Sequence, residues 1–364
     1  MKIANLLEVL EQYAPTALQA SYDNAGLITG SRGWECTGVL CTLDATEEIV
    51  EEAMQKGCNL IVAHHPIIFK GLKSITGKNY VERTLIKAIK HDIAIYAIHT
   101  NLDHVANGVS GKMADRLGLV QTNILEPLKG ALRQLYFYVP PPYLEQVKQA
   151  VFQAGAGQIG NYSECSFVNE GVGTFKPEDK AQPFSGNKGE LFSDRELKVE
   201  VVVPAALESS VLAALQQAHP YETVAYGVVA LENDHPDWGS GMIGQLPEAL
   251  TRQDFLSLLK EKFNLKNIRH TIGSGDLIKT VALCGGAGSF LISNALAAKA
   301  DAFVTADLKY HEFFDAENKL LLCDIGHFES EQFTIELLSD ILLKKFPTFA
   351  VLKSDNQTNP IHYF

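Results

Sequence analysis

The sequence predicts an α/β fold: a discontinuous α/β domain interrupted by a ferredoxin-like α+β insert. Three observations predict it. From residue 1 to about 125, short apolar runs alternate with stretches whose apolar residues recur at helical spacing, and from about 240 that alternation resumes. Between them, a βαβ unit, a hairpin-like excursion and a second βαβ-like unit occupy residues 130–232. At 364 residues the chain is too long for one ordinary core. The expected organisation is therefore 1–129 and 233–364 as the two parts of one domain, with 130–232 inserted.

The elements follow in order. Ile3, Leu6, Leu7 and Leu10 recur at helical spacing, so a helix is expected from about 3 to 13. Glu8 and Glu11 interrupt any apolar segment of the secretory kind. SYDNAGLITG is turn-rich. TGVLCTL is expected as a buried strand and DATEEIVEEAMQKG as the next helix, capped by Asp44 or Thr46 and ended by Gly57. Strand NLIVAHH, helix NYVERTLIKAIKHD and strand IAIYAIHT complete this part and imply a largely parallel sheet. In the middle, QLYFYVPP, ELKVEVVVPA and VAYGVVAL are expected strands, while PYLEQVKQAVFQAGA and ALESSVLAALQQAHP are expected helices. ENDHPDWGSG has the composition of a linker. Helix TRQDFLSLLKEKF, strand TVALCGG, helix SFLISNALAAKA, strand AFVTAD and the run KLLLCDIGH lead into helix SEQFTIELLSDILLKKF. The simplest arrangement joins both ends of the chain in one sheet.

Composition narrows the function classes. The chain is 46% hydrophobic and 20% charged, as a globular protein is. Lysine plus arginine is 31 and aspartate plus glutamate 43, a net charge of -12 that disfavours nucleic acid as a partner. No uncharged apolar stretch is long enough for a membrane span. Cys36, Cys41, Cys58, Cys165, Cys284 and Cys323 form no C-x-x-C pair and suit reduced thiols in a cytoplasmic protein.

The chemistry concentrates at strand ends. LIVAHHPIIFK places His64 and His65 side by side before Pro66. On a regular strand neighbours face opposite sides, so both reach one cavity only where the strand ends; the blander reading is a polar strand terminus. His327 and Glu331, four apart in DIGHFESEQF, share one helix face; alone they are an ordinary surface pair. IHTNLDHVANG adds His99 and Asp103. Taken together, His64, His65, Asp103, His327 and Glu331 all fall beyond the carboxyl ends of inferred strands or at a helix start, where reactive groups gather in such sheets. Imidazoles with carboxylates suit zinc, iron(II), manganese or cobalt. Five ligands exceed the usual three of a catalytic zinc, and serve two divalent cations if a carboxylate bridges. Open positions for water would then allow metal-assisted hydrolysis.

SYDNAGL, AHHP, IHTNLD, VTADLKYH and DIGHFESEQ, in this order, closely resemble the GTP cyclohydrolase I type 2 family, also called the NIF-three-like family. Longer members carry a PII/CutA-like insert, matching the segment 130–232 that includes AHPYETVAY. The resemblance implies a dinuclear metal site at His64, His65, Asp103, His327 and Glu331, a ring-shaped homohexamer, and GTP as a substrate from which water releases formate. The alternative is a metal-binding regulatory or interaction protein whose insert senses a ligand or mediates assembly.

Weaker candidates surround this set. Asp307 and His311 follow strand AFVTAD and, with His99, are the candidate catalytic groups; His99 suits a proton carrier or a support for Asp103. Lys309 suits an anionic substrate group, and Tyr22, Asp23 and Asn24 the mouth of the site. Each serves equally as hydrogen-bonded scaffold. Gly286 and Gly288 in CGGAGS suit a phosphate at a helix start, or more simply a tight strand-to-helix turn. HPYET, residues 219–223, is expected at a helix end of the insert in a packing or subunit-contact role.

Overall fold

The computed structural model describes residues 1–364. The chain divides into two compact units, Met1–Pro127 with Asp237–Phe364, and Leu128–Pro236. The strands in chain order are β1 (Gly26–Thr29), β2 (Val39–Thr42), β3 (Leu60–Ala63), β4 (Ala94–Ala97), β5 (Val120–Pro127), β6 (Leu132–Val139), β7 (Phe167–Phe175), β8 (Phe192–Pro204), β9 (Tyr226–Leu231), β10 (Gly239–Thr251), β11 (Arg269–His270), β12 (Leu277–Ala287), β13 (Ala302–Ala306), β14 (Leu321–Asp324) and β15 (Val351–Lys353).

The discontinuous unit contains two sheets rather than the single sheet expected. The first has five strands in the order β1-β4-β3-β2-β15, all parallel except β1 against β4. The second has six strands in the order β11-β14-β13-β12-β10-β5, parallel only at β12-β13-β14. Each half of the chain builds most of one sheet and lends a strand to the other. β5, from the first half, pairs with β10, and β15, from the second, pairs with β2. The expectation of one sheet failed because alternating strands and helices fix how local units form, not which strand edges meet across two hundred residues.

Burial follows the sequence closely. β2, β3 and β4 are unbroken apolar runs, buried on both faces as central parallel strands are. Helix Glu47–Gln55 lays Ile49, Val50 and Ala53 against this sheet, and helix Tyr80–Lys90 adds Leu85 and Ala88. Thr46 and Asn79 cap these helices by accepting from the Ile49 and Glu82 amides. In the second sheet, alternate residues serve opposite layers. Val281 and Leu283 join Phe255, Leu259 and Phe263 on one face, while Ala282 and Cys284 join Leu291, Ile292 and Ala295 on the other.

β10 corrects the reading of ENDHPDWGSG as a linker throughout, since its strand begins at Gly239. Its glycines, which suggested a turn, answer a packing need: a side chain at Gly239 would collide with the Glu126 carbonyl, and one at Gly241 with Leu291. The expected helix SEQFTIELLSDILLKKF is also two helices, His327–Glu331 and Thr334–Lys345.

The inserted unit runs β-α-β-β-α-β, with an antiparallel four-stranded sheet in the order β7-β8-β6-β9. Helices Leu144–Gln153 and Glu208–Ala218 cover the face carrying Leu135, Phe137, Val139, Val199 and Val201. No helix of the chain is long and apolar enough to cross a membrane.

Buried Glu52 on helix Glu47–Gln55 ties the chain after β15 to the first sheet. It accepts from Lys56 Nζ (2.6 Å), Ser354 Oγ (2.6 Å), the Asp355 amide (2.8 Å) and Asn356 Nδ2 (2.8 Å). Burial opposes its ionisation, but these donors outweigh burial and lower its pKa from 4.5 to about 2. A depressed carboxylate pKa gives stability that is present above 4.5 and lost as pH falls toward 2. Glu52→Gln should therefore cost about 2 kcal/mol at neutral pH, and the gap from the unsubstituted protein should narrow at about pH 3; urea unfolding at both pH values checks this.

Candidate metal centre

The site is assembled where the two sheets of the discontinuous unit meet. His64 and His65 directly follow β3, their amides still bonded to the Thr42 and Leu43 carbonyls of the neighbouring strand. Because the strand ends there, both rings turn to one side, with centroids 4.9 Å apart. His99 follows β4 and completes a trio with them at 5.3 and 5.4 Å. Asp103 ends the short helix Thr100–Asp103. From the second sheet, the helix His327–Glu331 opens after Gly326, whose φ of 93° turns the chain from β14.

Each imidazole is locked by a partner at Nδ1. His64 meets the Ile98 carbonyl (2.8 Å), His65 meets Asp44 (2.8 Å), His99 meets Asp23 (2.8 Å) and His327 meets Asp307 (2.7 Å). That arrangement leaves every Nε2 facing the site, as in metal-ligating histidines held by carboxylates or carbonyls. The inward atoms converge. Glu331 Oε2 lies 3.0 Å from His65 Nε2 and 3.1 Å from His327 Nε2, which are themselves 3.3 Å apart. His64 Nε2 lies 3.6 Å from Asp103 Oδ1 and 3.8 Å from Glu331 Oε1. His64 Nε2, Asp103 Oδ1 and Glu331 Oε2 are buried without a hydrogen-bond partner. Three orphaned polar atoms in one place are costly unless something binds there, and their donor types suit a divalent cation. His64, His65 and His99, and separately His65, His327 and Glu331, each offer ligand atoms close enough for one ion.

The electrostatics agree. Burial works against ionising Glu331, but the imidazoles of His327, His64 and His65 hold its carboxyl well below the usual range. Burial and the charge of Glu331 push Asp103 up. Burial would lower His65 and His327, yet their carboxylate partners prevail and raise them to about 9 and about 11. The cluster thus favours positive charge beside Glu331.

The other candidates divide. Asp307 holds His327 rather than facing the site; its φ of 57° aims the carboxylate at the ring. Asp23 is buried behind His99, and also accepts from the Thr100 amide. Burial would raise its pKa, but His99 and Thr100 drive it far below the carboxylate range. Tyr22 stands at the mouth, and Asn24 binds the Ile68 carbonyl. Lys309 and His311 are exposed and line no part of the cavity; His311 meets Tyr310 edge to face and stacks on Phe314 instead. In CGGAGS, Gly286, at φ 62°, leaves the space that Glu331 Oε1 occupies, and its amide donates to Ser330 Oγ at 2.9 Å.

Sequence reasoning missed the support of His65. Asp44 was read only as a possible helix cap, a role Thr46 fills. Its place directly beyond β2, next to the strand that carries His65, is the signal that would have found it. The cavity, about 500 Å³, is also lined by Phe69, Phe290 and residues 359–361, which carry no motif.

Two sheets sharing a buried imidazole and carboxylate cluster define an α/β protein equipped to hold divalent metal. The family profile Duf34/NIF3 (NGG1p interacting factor 3) matches residues 1–360. A protein named GTP cyclohydrolase 1 type 2 homolog from Bacillus subtilis (strain 168) is 38% identical over 364 residues, spanning 98% of this chain and 97% of that protein. A protein of the same name from Halalkalibacterium halodurans is 39% identical over 372 residues, spanning 100% of both. The crystal structure of a Bacillus cereus protein related to NIF3 superposes with a TM-score of 0.86 at 36% identity, covering 100% of this chain and 99% of that one. The chain belongs to the Duf34/NIF3 family.

If Asp307 serves His327 by orientation, Asp307→Asn should leave the fold intact and lower zinc or manganese affinity by roughly tenfold to a hundredfold, as read by calorimetric titration.

Proposed function

We propose that the chain is a dinuclear metal-dependent hydrolase acting on a purine nucleotide. The observation that carries it is the division of Glu331. Oε2 faces His65 and His327, while Oε1 turns toward His64, whose Nε2 also faces Asp103. One carboxylate would thus serve two sets of three protein ligands, His65 and His327 through Oε2 and His64 with Asp103 through Oε1, the number that leaves positions open for water. Zinc, iron(II), manganese and cobalt all suit these donors. When bound, such a pair lowers the pKa of water and polarises the substrate.

The chain's own residues do the rest. Asp44, Asp307 and the Ile98 carbonyl fix the ligand rings. Asp23 holds the Nδ1 side of His99, so that its Nε2 is free to take a proton from water and return it to the leaving group. Tyr22, Phe69 and Phe290 present exposed aromatic surface at the cavity, suited to stacking on a flat base. The name carried by the relatives supports GTP as substrate, with water attacking the imidazole-ring carbon and formate leaving. With a net charge of -12, no P-loop and no lysine or arginine lining the cavity, the triphosphate would depend on the cations.

The same reading takes the inserted unit, whose β-α-β-β-α-β order and β7-β8-β6-β9 sheet follow the ferredoxin-like plan, as a PII/CutA-like module. It takes the assembly as a homohexamer and the location as cytoplasmic, in keeping with six unpaired cysteines. A regulatory or interaction protein is the competing reading, favoured by a separate cavity in the insert.

Metal-loaded protein should contain about two cations per chain by elemental analysis and release formate from GTP. Absence of turnover across zinc, iron, manganese and cobalt rejects this substrate. Glu331→Gln should lose metal and turnover while the assembly persists by size-exclusion chromatography. Unchanged cellular function in that variant, with loss on deleting residues 128–236, would favour regulation instead.

A further inference from the structure

The inserted unit contains its own cavity of about 610 Å³, lined entirely by its own residues. It lies on the side of the sheet that the two helices leave bare. β8 sends Leu197, Val199 and Val201 to the helices, so Glu196 and Lys198 face the other way. Glycines shape the floor. Gly171 and Gly173 fall two apart on β7, on the same side as Glu196, and a side chain at Gly173 would collide with the Glu196 carboxylate. Glycine weakens a strand, so two on one face mark a place kept open for something to approach.

The walls are aromatic. Phe175 and Phe184 stand 6.4 and 5.7 Å from Tyr221, centroid to centroid, inclined at 54° and 46°. Phe184 arrives on the loop between β7 and β8, held where the Gln182 amide donates to Glu222 (2.8 Å). His219 fixes Tyr221 from behind: its Nε2 meets the Tyr138 carbonyl (2.8 Å), and its Nδ1 accepts from the Tyr221 amide (3.1 Å). The Tyr221 hydroxyl is buried beside the Glu196 carboxylate, and burial together with that carboxylate pushes the phenol's pKa up.

Charge accounting gives the sign of the occupant. Lys198, the cavity's lysine, pairs with Glu200 at 2.9 Å. Glu170 pairs with Arg195 at 2.5 Å. Glu196 has no basic partner in any ion pair, yet it is half-buried among the rings, where an unmatched carboxylate is expensive. Aromatic faces with an unmatched carboxylate are the chemistry that receives an organic ammonium ion.

We propose that this cavity is a binding site for a small organic cation, a quaternary ammonium or protonated amine, caged by Phe175, Phe184 and Tyr221 and neutralised by Glu196. The site is independent of the metal centre and of the reaction proposed there.

The test is calorimetric titration of the full chain with tetramethylammonium, choline and putrescine. The uncharged carbon analogue of choline, with a quaternary carbon in place of nitrogen, is the control. At least one cation should bind, and for choline the carbon analogue should bind about tenfold more weakly or not at all. Glu196→Gln and Phe184→Leu should each weaken the bound cation about tenfold, with circular dichroism unchanged. Phe184 is half exposed on its loop, so its variant keeps the test open if the Glu196 variant fails to fold. Glu331→Gln should bind the cation as the unsubstituted chain does. No heat from any of the three cations at millimolar concentration, equal binding of choline and its carbon analogue, or unchanged affinity in Phe184→Leu would each overturn the proposal. So would loss of binding in Glu331→Gln.

Discussion

The buried carboxylate of Glu331 is the constraint on which the discontinuous unit turns. It is 3% exposed and stands among three imidazoles, two of them supplied by the other sheet. Charge this deep must be matched, because the cost of removing a carboxylate from water is recovered only by close positive partners. Much of the surrounding structure meets that demand. β3 ends where it does so that both of its histidines can turn inward. Asp44 and Asp307 keep their rings basic and aligned, and Gly286 gives up its side chain to make room. Ser330 and Ser110 hold the two glycine amides beside it, at 2.9 and 3.3 Å.

What could be read in advance was what local physics decides. The capped helices, the buried parallel strands and the six-element pattern of the insert follow from spacing and composition, and the structure contains them. His64 and His65 drew attention because adjacent imidazoles at a strand end have few other uses. The supporting carboxylates were harder to see. Asp23, Asp44 and Asp307 each sit in a turn or before a helix, where aspartate is ordinary, and only the fold shows which ring each one meets. Strand pairing was the least legible feature. β10 hid behind glycines needed for close packing, and β5 is not among the strands the sequence predicts. His311 and Lys309 follow the same strand as Asp307 but are exposed and do not line the cavity.

The two units treat glycine and charge alike. In the discontinuous unit, glycines beside Glu331 give space to a carboxylate that gathers positive charge. In the insert, Gly173 does the same for Glu196. Both cavities thus have a carboxylate admitted by a missing side chain and surrounded by rings. The rings are imidazoles in one and phenyl or phenol groups in the other. Borderline divalent ions suit the first environment, whereas bulky, poorly hydrated organic cations suit the second.

The exchange of β5 and β15 bears on how the chain is made. Residues 351–353 pair with residues 39–41, so more than three hundred intervening residues must be made before β2 gains its last neighbour. Until then the nascent first half exposes an open sheet edge, the kind of surface that recruits other chains. The insert, whose strands all find partners within Leu128–Pro236, needs no such wait. Folding at the ribosome should therefore finish in the middle of the sequence before it finishes at the beginning, leaving a late closure of the oldest segment.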